Sequence, residues 1–167
     1  MYWLDQAIPQ SMPLLYEQLR ERYPLRDCLP RGKRCGLRML PTEAVPFMGP
    51  NLYISPPGSI TGAHEDGFGT VDSGHQSLCG LNEVIMLRRL EEGHKQDAVR
   101  ALTRHKYGLR QLPNDSSPRV TSVLPWPAVD TLDALETKGY CPQRFVLYPG
   151  EYVHIGKGRL HAFRKLD

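Results

Sequence analysis

Between Asn51 and Leu87, short apolar runs are interrupted by proline and glycine, which restricts this stretch to short strands joined by turns. Leu52-Tyr53-Ile54 reads as a strand closed by Ser55-Pro56-Pro57-Gly58, and a second strand follows at about 59–66. Leu78–Leu87 is an apolar run of the kind buried inside a barrel. Between them lies His64-Glu65-Asp66. Residues i and i+2 of an extended strand share a face, so an imidazole and a carboxylate project side by side here. Gly67, Gly69 and Gly74 would let backbone approach closely, as a ligand or cofactor requires.

A His-x-Asp pair is also common in solvated loops, so its meaning depends on a third group. Gly156–Phe163, which contains His161, offers one. Two imidazoles and one carboxylate on one face of a metal, with the other positions open, is the ligand set of non-haem Fe(II) oxygenases. The same set also holds zinc or manganese.

The totals are those of a globular chain: 167 residues, 40% hydrophobic, with a mean hydropathy of −0.43. No run approaches the roughly 20 apolar residues of a membrane span, and the N-terminus has no signal-peptide core, so the expected setting is intracellular, nuclear or cytoplasmic. Cys28, Cys35, Cys79 and Cys141 form no Cys-x-x-Cys pair and read as reduced thiols. A net charge of +3 with a pI near 8.7 is too mild to indicate direct nucleic-acid binding.

Along the chain, Ser11 with Pro13 marks a helix start, with Leu14, Leu15 and Leu19 on one apolar face. Cys35–Leu40 reads as a strand, and 41–50 as a loop that tucks Val45–Met48 beneath it. Thr70–His75 reads as a polar connection into a strand at 76–88. Glu91–Leu102 is an amphipathic helix with acids early and bases late. Residues 107–128, with four prolines, read as a long irregular insertion, and Asp130–Gly139 as a short helix stopped by Gly139. Arg144–Tyr148, Glu151–Ile155 and Arg159–Phe163 supply three closing strands. The fold class is therefore mainly β, a jelly roll with helical decoration.

The ordered set Asn51–Ser59, His64-Glu65-Asp66, the apolar strand, a long insert, then Tyr148-Pro149-Gly150-Glu151 leading to Gly158-Arg159-Leu160-His161 resembles a JmjC domain. The similarity runs from about Cys35 to Lys165. It implies a cupin-like double-stranded β-helix, in which the last barrel strand is either missing or supplied otherwise. One domain is expected over 1–167: an N-terminal helical segment (1–34), first barrel strands with the His-x-Asp (35–90), an insert (91–140) and closing strands with the distal His (141–167).

The resemblance implies that His64, Asp66 and His161 bind Fe(II) and that 2-oxoglutarate is the co-substrate. The product would be a hydroxylated protein side chain or a demethylated N-methyl-lysine, with a histone tail as the partner. Thr61 falls where family members often touch 2-oxoglutarate, and Tyr53 where demethylases line the methyl-lysine pocket. The family's usual lysine falls near Asn82, which carries no charge. Arg88, Arg89, Lys157 and Arg159 are the substitutes considered, and Arg159 is preferred because it lies two residues before His161. His75 and His154 read as core or supporting groups, His94 and His105 as solvent-facing, and Glu65 as pointing away from the site. The competing readings are a non-catalytic cupin- or JmjC-like binding module and a metal-dependent cupin enzyme that uses no keto acid.

Overall fold

The structure, a computed structural model, describes residues 3–24, 26–29, 32–39, 50–107 and 125–167. The chain forms two compact units, Met1–Pro56 and Pro57–Asp167. No helix among the described residues is long and apolar enough to cross a membrane.

In the first unit, strand β1 (Trp3–Ala7) leads into helices α1 (Ile8–Ser11) and α2 (Pro13–Arg22), and β1 pairs antiparallel with β2 (Asn51–Ile54). Two sequence expectations change here. Met12, with φ −141° and ψ 61°, breaks the helix just after Ser11, so Ser11 ends α1 and does not cap α2. Pro13 then opens α2, where its missing N–H costs nothing. The expected strand at Cys35–Leu40 is instead a 3-10 turn over Gly36–Met39, with the Arg38 N–H bonded to the Cys35 carbonyl at 3.2 Å. β1 was not anticipated because its partner lies more than forty residues away. Leu14 and Leu15, the expected sticky face of α2, are exposed. The proposed tuck of Val45–Met48 lies outside the described residues.

The second unit is mainly antiparallel β. β3 (Ile60–His64), β5 (Asn82–Met86), β6 (Gln143–Leu147) and β8 (His161–Lys165) form one sheet in the order β3-β8-β5-β6. β4 (Ser73–Gln76) and β7 (Tyr152–Ile155) form a second sheet, so the chain crosses from one sheet to the other repeatedly. The expected polar connection at 70–75 is thus partly strand β4. The expected strand at 76–88 is divided at Gly80, whose φ of +70° suits glycine, and β5 begins only at Asn82.

The four-stranded sheet is buried on both faces. Inward, Val84, Met86, Leu147 and Phe163 pack with Ile155 and Val153 of β7. Outward, Ala63, Leu87, Leu160 and Ala162 pack under α3 (Glu92–Tyr107) and α4 (Val129–Thr137) through Ala98, Val99, Leu102 and Leu135. Ala98 and Leu102, four apart, fall on one helical face, which is why α3 can lie flat on the sheet. Its acids-first pattern survives in Glu92 at the first turn. Gly139, with φ +74°, follows α4 as the sequence indicated. Most of the irregular insertion expected at 107–128 lies outside the described residues.

Candidate metal centre

β3 and β8 run antiparallel with His64 directly opposite His161, which brings together two residues 97 positions apart. Their rings lie 4.3 Å apart between centroids. Asp66 does not sit on the strand. Glu65 continues the extended backbone (φ −118°, ψ 138°), and Asp66 then opens a 3-10 turn over Asp66–Gly69. That turn swings the carboxylate across the strand end, between the two imidazoles. Asp66 Oδ1 lies 3.5 Å from His64 Nε2, and Asp66 Oδ2 lies 3.4 Å from His161 Nε2. One ligand atom from each of the three residues falls within 4.8 Å of the others.

The polarity of these atoms is fixed from behind. His64 Nδ1 lies 2.8 Å from the Gly62 carbonyl, and His161 Nδ1 lies 3.0 Å from the Arg159 carbonyl. A carbonyl only accepts, so each Nδ1 carries a proton, and Nε2 is the ring nitrogen left to face Asp66. The side chain of His161 is fully buried, and its Nε2 has no hydrogen-bond partner. Burial and the neighbouring His64 push the His161 imidazole down to about 4, the Arg159 carbonyl and Asp66 opposing, so the ring is neutral near pH 7. Burial resists ionisation of Asp66, but bonds from His64, His75 and Ser73 and the field of His161 more than offset it, and the carboxyl lies well below its ordinary range.

The buried Nε2 of His161 therefore faces the Asp66 carboxylate with no proton between them, and the His64 ring lies against the same carboxylate. Such a set repels itself unless a cation sits at its centre. Ligand atoms 2.0–2.2 Å from a shared ion lie roughly 3–3.5 Å from one another; each imidazole here lies 3.4–3.5 Å from an Asp66 oxygen, and the set as a whole falls within 4.8 Å. The residues fit a metal ion, and Nδ1 bonds to backbone carbonyls are what orient metal-binding imidazoles.

Two neighbours complete the surroundings. Ser73 on β4 donates its hydroxyl to Asp66 Oδ2, and His75, two residues on, brings Nε2 to 3.8 Å from the same oxygen. The His75 ring packs on Phe163 at 4.5 Å, so it is an inward-facing supporting group, as the sequence indicated. Ser73 was missed because strand β4 was read as a loop. Its signal was alternation: Ser73 and His75 share a face.

The remaining site residues fall as follows. Thr61 lies on β3 opposite Phe163. Asn82 is buried on β5, donates to Ser77 Oγ at 2.8 Å and accepts from the Lys165 ammonium. Arg159 precedes β8, and its guanidinium donates to the Leu87 carbonyl at 2.8 Å and to Gln143 Oε1 at 3.1 Å. Its nearest service to the site is the carbonyl that holds His161. Tyr53 lies on β2 in the first unit and is 39% exposed. His154 is neither core nor supporting: it sits on the outer side of β7, exposed, 3.7 Å from Asp72. His94 is exposed as expected; the side chain of His105 lies outside the described residues.

Glu65 points away from the site, as expected, and pairs with Lys95 of α3 at 2.9 Å. The glycines after Asp66 serve protein packing. A Cβ on Gly69 would meet Glu65 Oε2 at 2.7 Å, and one on Gly74 would run into the Tyr152 hydroxyl oxygen.

No family model matches this chain, and a search of curated proteins finds no match.

Proposed function

We propose that the Pro57–Asp167 unit is a double-stranded β-helix of the JmjC type and a 2-oxoglutarate-dependent oxygenase that binds Fe(II) through His64, Asp66 and His161. The observation that carries this reading is the unpartnered, buried Nε2 of His161, aimed at a carboxylate that already faces a second imidazole. The alternation of six strands between two sheets supports the fold, since a jelly roll is built by such crossings. Iron and the keto acid would supply the oxidising chemistry. The protein's part is to hold three ligands on one side of the ion, keep the His161 imidazole neutral, and leave the other positions open for co-substrate and oxygen. Thr61 lies on the same face as His64, where the resemblance puts a residue that touches the co-substrate. The substrate is a protein side chain, with a histone-tail methyl-lysine the candidate that the resemblance raises, in a nuclear or cytoplasmic setting.

A second reading has its own support. His75 faces the same carboxylate as the two ligand imidazoles, which suits a cupin enzyme that uses three imidazoles and no keto acid. Anaerobic titration with Fe(II), followed by assay of succinate released from 2-oxoglutarate, separates the two. One equivalent of metal with succinate release supports the oxygenase; metal uptake without succinate supports the cupin. His161→Ala and His64→Ala should each weaken metal binding by at least about a hundredfold. Undiminished uptake by either variant removes the ligand assignment.

A further inference from the structure

Glu65 separates two of the three metal-centre residues in sequence, and it is the member of His64-Glu65-Asp66 that turns away from the site. Its backbone is extended (φ −118°, ψ 138°), so its side chain projects opposite to its neighbours'. The side chain is only 5% exposed, yet it ends in a carboxylate, and Oε1 lies 2.9 Å from the ammonium of Lys95 on α3. Lys95 is itself 13% exposed, and its second carboxylate partner, Glu92 at 3.3 Å, is on the surface. The Lys95–Glu65 contact is thus a buried ion pair placed one residue from each of two ligands.

Both turns that present ligands close on this pair. Gly69 ends the turn that carries Asp66, and a Cβ there would meet Gly158 Cα at 3.4 Å as well as the Glu65 carboxylate. Gly158 lies three residues before His161, and a Cβ there would lie 3.9 Å from Lys95 Nζ and 3.7 Å from the Gly69 carbonyl oxygen. The neighbouring Lys157 N–H donates to Asp72 Oδ1 at 2.6 Å, which ties the same turn to the segment beyond Asp66. Helix α3 is held without the pair. Ala98 and Leu102 follow Lys95 at three and seven residues on one face, and with Val99 they pack on Ala63, Leu87 and Leu160. A buried ion pair adds little net stability over apolar groups of the same shape, because desolvation offsets the attraction. Its place in the chain gives it another use: fixing the direction of Glu65 fixes the peptide from which Asp66 departs.

We propose that Glu65 and Lys95 are positioning residues of the metal centre: their ion pair anchors the backbone between His64 and Asp66 to α3 and holds the Asp66 carboxylate in its ligating pose. This rests on the metal reading above. It adds that the insert helix, which supplies none of the three ligands, sets the affinity and geometry of the site. The pair acts through the Glu65–Asp66 peptide and touches neither the ion nor a co-substrate.

The test uses the full chain and Co(II), which binds such ligand sets and reports their geometry in its visible absorption. Calorimetry measures Co(II) affinity for the wild type, Glu65→Gln, Lys95→Met and the double variant Glu65→Gln/Lys95→Met, and circular dichroism melts follow the fold. Lys95→Met strands a buried carboxylate and risks unfolding, so the double variant, which removes both charges and keeps both shapes, carries the decision. It should melt close to the wild type, bind Co(II) about tenfold more weakly, at the low end for groups that orient ligands, and show an altered visible spectrum. Glu65→Gln keeps an acceptor for the ammonium and should retain most of the affinity. Wild-type Co(II) affinity in the double variant, or weaker binding with an unaltered spectrum, overturns the positioning role and leaves the metal centre standing. An unfolded double variant overturns it too, because the pair would then be what holds α3. A wild-type chain that takes up no Co(II), or whose uptake survives His161→Ala, overturns the metal centre itself, and the positioning role with it.

Discussion

The two faces of the β3-β8-β5-β6 sheet each bury ionisable groups, and they treat them in opposite ways. On the outer face, Glu83 of β5 accepts hydrogen bonds from Arg144 of β6 and from Arg164 of β8. Arg164 in turn lies over the Trp126 ring, 4.7 Å from its centroid. Both carboxylate oxygens are occupied, and two neighbouring strands are tied to the central one. On the inner face, the His161 Nε2 faces a carboxylate at one end of β8, and at the other, one residue past Arg164, a lysine rests on an amide. A compensated charge binds strands together. An uncompensated one costs folding energy and is retained where a ligand completes it. Burial alone does not separate structure from function here; the accounting of partners does.

The contrast can be broken most directly at Glu83. Glu83→Ala leaves two guanidinium groups against a sheet with no acceptor, and should cost about 2–3 kcal/mol, below the 3–5 kcal/mol of a fully buried pair because both arginines are partly exposed. Urea unfolding measures this. Metal uptake in the same variant should match the wild type, and a parallel loss of metal binding would mean that the faces are not independent.

Acid sensitivity sharpens the same point. Burial resists ionisation of Glu83, but the Arg144 and Arg164 bonds more than offset it and hold the carboxyl below its ordinary 4.5. The unfolded chain therefore takes up this proton at a higher pH than the folded one. The stabilisation is complete above 4.5 and is lost as pH falls through the folded value. The difference in unfolding free energy between wild type and Glu83→Gln should be constant from pH 6 to 8 and shrink below about pH 4.5. A difference that grows toward acid would reverse the assigned sign.

The smallest effect belongs to the inner face. Ser73→Ala removes the hydroxyl that donates to Asp66 and should weaken metal binding about tenfold. The melting temperature should move little, because an acceptor that loses this donor regains a cation when metal binds. A large stability loss with unchanged metal affinity would place Ser73 among the structural groups.

Much of the site was legible in the chain. Strands β2, β3 and the three closing strands were announced by short apolar runs with proline or glycine at their ends. His64 and Asp66 were visible as neighbours, although Asp66 reaches the site from a turn and not from the strand. His161 was selected by residue type. Arg159 was preferred because strand alternation would place it on the face of His161, but β8 begins only at His161, so the rule did not apply to it.

The sequence by itself determined which short segments could extend, where turns had to fall, and which residue types could hold a metal. These are local properties, set by side-chain period, by proline's fixed φ and by glycine's freedom. Only the tertiary structure decided that His64 lies opposite His161, that Glu83 finds two arginines, and that Lys165 lies across from Asn82. Each depends on strand register between segments up to about a hundred residues apart, and a shift of one residue would turn every one of these side chains to the other face.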